Sequence, residues 1–244
     1  MDGSSVRISN LTAGELSAAD QDRLVEGLVQ ALPALRMRDL FAARRDMFTE
    51  ADLITTARTP AGELVGVLAS RWATLPDGTR FLHVTSQFVA EGHRHGVVFR
   101  RSWAAHLTRV SAGPWGFPTI NVLKTYNPRV YCAMSSLTAV PGVSFYPAVD
   151  GSAPDPRVAG LAARISRVVA PAAAFDAATG VIKGAGVPAD LYPELPRSAN
   201  RSVNDYFARH ARPGDRVLCV LLIPQASTDE VLRVFTAPRA KARR

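Results

Sequence analysis

A mixed α/β (α+β) fold, with a mainly antiparallel central sheet flanked by helices, is the class this sequence predicts. Apolar residues recur at helical spacing before residue 50, alternate between residues 52 and 90, and return to helical spacing over 97–110. Between the last two segments lies a tight basic turn, Gly92-His93-Arg94-His95-Gly96. The closing segments 216–223 and 231–236 are short, apolar and rich in β-branched residues, as strands are.

Taken in order, Ser17 precedes an amphipathic run with Leu24, Leu28, Val29 and Leu32, a helix that Pro33 ends or kinks. A second helical piece covers about residues 37–49. Strands are predicted over 53–57 and 63–73, joined by the turn Thr59-Pro60-Ala61-Gly62, and over 81–90 after the turn Pro76-Asp77-Gly78. The helix over 97–110 carries an apolar stripe of Phe99, Trp103, Leu107 and Val110, with Arg100, Arg101 and Arg109 off it. A strand follows over 118–124, and then a short helix to about Leu137, with Asn127 at the cap and Pro128 in the first turn. Residues 139–214 are broken by Pro and Gly, with helices predicted over 158–169 and 202–210 and a short strand over 180–183. The expected organisation is one domain over 1–244: a core of about 14–138, a large C-terminal elaboration of about 139–214, and a terminal strand pair at about 215–237.

Composition narrows the function. Of 244 residues, 47% are hydrophobic and 20% charged, the balance of a chain that folds around a core. No apolar run reaches the roughly 18 to 20 residues of a bilayer span, and the N-terminus lacks the basic start and apolar stretch of a signal peptide, so a cytoplasmic protein with no membrane contact is expected. Cys132 and Cys219 sit in apolar surroundings without metal spacing and read as buried thiols. The formal charge of +8 is dispersed apart from Arg239, Lys241, Arg243 and Arg244. No interleaved Lys/Arg and aromatic pattern marks a nucleic-acid face, and a basic balance also suits a small anionic cofactor. His106 and His210 have no ligand partners at metal spacing, and no Gly-x-Ser-x-Gly elbow is present.

The turn at 92–96 is the strongest chemical signal. A helix N-terminus leaves backbone N–H groups unpaired and carries partial positive charge, so it accepts a diphosphate. Gly96 would let a ligand approach the backbone closely, while His93, Arg94 and His95 add donors. Taken alone, such a run is also what a solvated basic turn looks like.

The order of elements and this turn resemble the GNAT superfamily of acyltransferases, with the resemblance concentrated at residues 62–137. In that family a strand ends in a turn of pattern Gln/Arg-x-x-Gly-x-Gly/Ala, which opens the next helix and wraps the pyrophosphate of coenzyme A. The corresponding stretch here runs from Val89 through Glu91-Gly92-His93-Arg94-His95-Gly96-Val97 to Val98. It departs from the pattern at His93, where Gln or Arg is usual, and at Val98, which replaces a small residue. The next strand, 120–124, is expected to splay from its neighbour and admit the pantetheine arm, with Asn127 capping the helix that follows.

The resemblance implies a site for acetyl-CoA or another acyl-CoA built from Phe88, Val89, His93, Arg94, His95, Gly96, Val97, Val98 and Asn127, with no metal. A backbone N–H near Phe88 and Val89 would hold the thioester carbonyl. Tyr131 corresponds to the acid that reprotonates the thiolate, although it lies only four residues after Asn127 and Met134 occupies the later place. Tyr131 also reads as a half-buried helix residue, and His83 as a satisfied core or surface histidine. Base candidates are His83, Glu91 or a water ordered by Gln87. The implied activity moves an acyl group from acyl-CoA, or from the phosphopantetheine of an acyl carrier protein, to an amine or hydroxyl of a small-molecule acceptor, as in specialised biosynthesis. The alternative is a non-catalytic GNAT-fold sensor or scaffold that binds acyl-CoA.

Overall fold

The computed structural model describes residues 6–44, 46–93, 97–150 and 155–236. The chain opens with strand β1 (Arg7–Leu11), which the sequence reading missed, and then helix α1 (Ala18–Ala31). Ser17 caps α1 as expected: its hydroxyl accepts from the Asp20 N–H, and the Asp20 carboxylate accepts from the Ser17 N–H in return. The predicted single helix at 37–49 is two, α2 (Met37–Ala43) and α3 (Asp46–Thr49). A meander follows in β2 (Leu53–Arg58), β3 (Leu64–Thr74) and β4 (Arg80–Val89). Helix α4 (Val97–Ser111), strand β5 (Ile120–Thr125) and helix α5 (Pro128–Ser135) come next.

The segment expected as an elaboration contributes β6 (Ser144–Tyr146), α6 (Pro156–Val169), β7 (Phe175–Asp176), β8 (Val181–Ile182) and α7 (Arg201–His210). It is woven into the sheet, since β6 and β8 both pair with β9 (Arg216–Leu222). The expected terminal strand pair at 215–237 is corrected: only β9 is a strand, and residues 228–236 form helix α8 (Thr228–Thr236). Val231 and Phe235 lie one helical turn apart and are buried, while Asp229 and Glu230 sit in the first turn where the helix dipole favours acids.

The strands run in the order β1-β2-β3-β4-β5-β9-β8-β7, with β6 also on β9. Every neighbouring pair is antiparallel except β4 and β5, which are parallel and joined through α4. That one parallel pair is short, comprising Leu82↔Asn121, His83↔Val122 and Val84↔Leu123. Pairing stops there for a local reason. Ala69 of β3 faces Ser86, but its neighbour Ser70 faces Val84, so Thr85 is an extra residue in β4. Such a bulge bends its strand and raises its twist, and β4 turns away from β5 beyond Val84.

Both faces of the sheet are covered. On one, Leu82, Val84 and Leu123 pack with Trp103, Tyr131 and Phe235 from α4, α5 and α8. On the other, α1 and α2 cover Ile54, Val67 and Ala69, and α6 covers Val122, Leu218 and Val220. Helix α4 is further tied to the sheet by His106, whose Nδ1 meets the Thr55 hydroxyl at 2.8 Å and whose Nε2 meets the Ser70 hydroxyl at 2.7 Å.

Phe207 of α7 is fully buried, with its ring 5.9 Å from that of Tyr131. Phe207→Ala should therefore cost about 3–5 kcal/mol, read as a lowered urea midpoint at unchanged slope. A neutral result would mean that α7 does not share the core of α5.

Candidate functional site

Two cavities meet where β4 and β5 part. The larger is a cleft of about 780 Å³ between the start of α4, helix α5 and the end of α8. Its walls include Phe88, Val89, Val97, Phe99, Val130 and Phe235, with Arg100, Arg101, Asn127 and Arg129 among its polar groups. This volume lies within the usual range for a cofactor site. The smaller is an inner pocket of about 110 Å³ on the side of α2, reached by Arg44, Met47, Ser86, Lys124, Tyr126 and Arg216. Gln87, Phe88, Val130 and Tyr192 line both cavities and form the passage between them.

The backbone of β4 supplies a donor at this passage. The Ala90 N–H donates to the Val65 carbonyl of β3 at 2.9 Å. Because bonding direction alternates along an antiparallel strand, the N–H groups of Gln87 and Val89 point the other way, into the gap that β5 has left. The Gln87 Oε1 and Ser86 Oγ atoms are buried without a protein partner among the described residues. Buried polar atoms of this kind are seldom left unbonded in a finished core, and both residues line the inner pocket.

The inner pocket is basic. Lys124 is largely buried and donates from Nζ to the Val169 carbonyl at the end of α6, at 2.7 Å. Burial, with the nearby charges of Arg44, Arg216 and Arg71 adding to it, lowers its pKa to about 8. Burial likewise lowers the pKa of Arg216. The Arg216 guanidinium donates to the Asp215 carbonyl at 2.7 Å and lies 5.9 Å from the centre of the Tyr126 ring. It also lies against Gly186, where a Cβ would come within 2.0 Å of it, so any side chain there would displace the guanidinium.

The predicted site residues divide into four groups. Phe88, Val89, Val97 and Asn127 lie at the cleft, Asn127 also capping α5 by accepting from the Arg129 N–H at 3.0 Å. Arg94, His95 and Gly96 lie outside the described residues. Glu91 and His93 fall on a single 3-10 turn after β4, and neither lines either of these two cavities. Val98, Tyr131 and His83 turn inward. Val98 is buried against Ala57 and Val65 and fits because Gly66 opposite it has no side chain; a Cβ there would sit 3.0 Å from Val98.

Tyr131 is corrected as the acid. It shares a buried stripe of α5 with Pro128 and Met134, and its hydroxyl donates to the Pro147 carbonyl, away from the cleft. Burial raises its pKa. The cleft side of α5 instead carries Val130 and Ala133, with Leu137 in the turn that follows it. His83 is corrected as the base. It sits in the paired part of β4, two residues before the bulge, and burial lowers its pKa to about 3, with Lys124, Arg71 and Arg44 adding to the shift. Neither ring nitrogen has a protein partner among the described residues. Among the described residues, no three or more His, Cys, Asp or Glu are grouped as a metal would need, and no helix is long and apolar enough to cross a membrane. The sequence reading did not foresee Arg44, Lys124, Tyr126, Tyr192 or Arg216 as a group. The signal it could have used is the cation Lys124 inside an otherwise uncharged, largely buried strand.

The architecture is GNAT-like: an antiparallel meander, a single parallel strand pair joined through a helix, and a cleft where that pair diverges. Among solved structures, similar chains include a GNAT family N-acetyltransferase from Escherichia coli in complex with CoA (14% identity, 57% of this chain, 69% of that one, TM-score 0.39). A GNAT family acetyltransferase from Staphylococcus aureus Mu50 is 12% identical over 60% of this chain and 90% of its own, with a TM-score of 0.39. A ribosomal-protein-alanine N-acetyltransferase from Brucella melitensis biovar Abortus 2308 is 24% identical over 41% of this chain and 68% of its own, with a TM-score of 0.31. These overlaps are partial, and the assignment of fold rests on the topology described above. No family model matches the sequence, and no curated protein does.

His83 yields a test of stability. Its folded pKa lies below the ordinary value, so its contribution is complete above about pH 6.5 and is lost as pH falls toward about 3. His83→Leu should stabilise the protein at pH 7 by removing an unpartnered polar ring, and should do so by about 2 kcal/mol more at pH 5. Parallel melting curves for the two proteins between these pH values would refute the burial argument.

Proposed function

We propose that this protein transfers an acyl group from acyl-CoA, or from the phosphopantetheine of a carrier protein, to an amine or hydroxyl of a small molecule. The observation that carries this reading is the junction of the two cavities through the gap left by the bulge in β4. A large cleft with arginines at its mouth suits a phosphorylated, elongated donor. The small pocket beyond it suits the acceptor.

The donor supplies an activated thioester carbonyl. The Val89 N–H points into the gap where that carbonyl would lie and offsets the charge that grows on its oxygen. Arg100, Arg101 and Arg129 provide cations for phosphate oxygens. In the inner pocket the positive field of Arg44, Lys124 and Arg216 disfavours an ammonium and favours the neutral amine, whose lone pair attacks. As the C–N bond forms, the surplus proton passes to a water held by Gln87 Oε1 and Ser86 Oγ. As the C–S bond breaks, the electron pair leaves on sulfur, and Tyr192, which borders both cavities, takes the protonating role expected of Tyr131.

A non-catalytic acyl-CoA-binding protein is the second reading, favoured by the inward turn of Tyr131 and by an inner pocket that no carboxylate lines among the described residues. Acetyl-CoA should raise the melting temperature where adenosine 3′,5′-bisphosphate does so far less, because the cleft extends to the β4–β5 gap. Release of free thiol with a panel of small amines separates enzyme from sensor. Tyr192→Phe should lower kcat about tenfold or more while leaving the KM for acetyl-CoA nearly unchanged. Tyr131→Phe should keep its turnover and lose about 1 kcal/mol of stability. The reverse pattern would return the acid role to Tyr131.

A further inference from the structure

Resting on that reading, we infer that the acceptor carries a carboxylate, held in the inner pocket by Lys124 and Arg216. The pocket collects three cationic side chains, Arg44, Lys124 and Arg216, and none of the described residues lining it is acidic. Arg71, whose charge also reaches Lys124, is paired with Glu50 at 2.8 Å and so is offset elsewhere. Lys124 spends one of its three donors on the Val169 carbonyl, leaving two for a ligand. Arg216 spends one on the Asp215 carbonyl. Nearby, Ser86 adds a hydroxyl that has no protein partner among the described residues.

Placing cations in a poorly hydrated pocket is costly unless a counter-charge arrives. Both Lys124 and Arg216 are held in place by packing and by backbone carbonyls, with Gly186 giving the guanidinium room. An Arg and a Lys together suit the two oxygens of a carboxylate. The pocket's volume of about 110 Å³ admits a compact group, and the rings of Tyr126 and Tyr192, 6.1 Å apart, provide apolar contact for the rest of the molecule.

The test uses benzoate as the anionic probe and benzamide as its neutral counterpart, with the full chain and calorimetric or thermal-shift titration. Benzoate should bind the unaltered protein roughly tenfold or more tightly than benzamide. Lys124→Met and Arg216→Met should each reduce benzoate affinity by a similar factor and leave benzamide unchanged. Equal binding of the two probes to the unaltered protein, or binding of neither, overturns the inference whether or not the variants fold. A preference for benzoate that survives in both folded variants also overturns it, since the anion would then lie elsewhere. Acetyl-CoA stabilisation is measured on the same preparation. If acetyl-CoA binds and benzoate shows no preference, only the carboxylate inference falls. If benzoate binds at Lys124 and acetyl-CoA does not bind, the acyl-transfer reading falls and takes the acceptor role of the pocket with it.

Discussion

The site depends on one added residue in a strand. Thr85 has no counterpart on β3, and the bend it introduces ends the β4–β5 ladder at Val84 and Leu123. Without it, β4 would continue beside β5, the backbone donors of Gln87 and Val89 would be consumed in pairing, and the two cavities would be separate surface depressions. The bulge costs ladder hydrogen bonds. That loss is tolerable because the rest of β4 stays fully paired to β3, up to the Ala90–Val65 bond at 2.9 Å.

The fold is arranged so that this opening stays rigid. The passage is bordered by β4 and β5, each anchored on its other side by a long antiparallel partner, β3 and β9. Helix α4 is pinned through His106 to Thr55 of β2 and Ser70 of β3, which fixes the helix start relative to the strand that leads into it. Residues 185–192, from the segment after β8, close the inner pocket against Arg216 and Tyr126. The C-terminal elaboration is thus both a structural part of the sheet and one wall of the inner pocket.

Much of the scaffold was legible because local rules decide it. Ser17 and Asn127 cap the helices they were expected to cap, and the alternating pattern from 52 to 90 is a meander. The errors came where periodicity was read too loosely. Apolar residues at 231, 232, 234 and 235 fit a helical face as well as a strand, and β-branching was given too much weight against the acidic first turn of α8. Tyr131 was placed by its distance from Asn127, but its spacing of three from both Pro128 and Met134 puts it on the buried stripe. Val130 and Ala133 mark the cleft side of that helix, a pattern visible in the sequence. The basic pocket was not legible in the same way. Arg44, Lys124 and Arg216 are about 80 to 90 residues apart, and only the sheet order that places β9 beside β5, with α2 folded over β4, brings them together.

The distribution of charge then acquires a physical meaning that the net value of +8 does not have. Arginines at the outer cleft remain partly in water, where each is cheap to keep and its field is screened. Lys124 and Arg216 are different: both are largely withdrawn from water, and burial disfavours the charged form of each. Packing alone would be served as well by apolar side chains at these positions, and better by far in stability. A fold that keeps two cations near Ser86 Oγ and Gln87 Oε1, neither of which has a partner among the described residues, holds a polarised pocket ready before any ligand enters. Such preorganisation lowers the cost of orienting an anionic ligand there, because the reorientation of dipoles has already been done in folding.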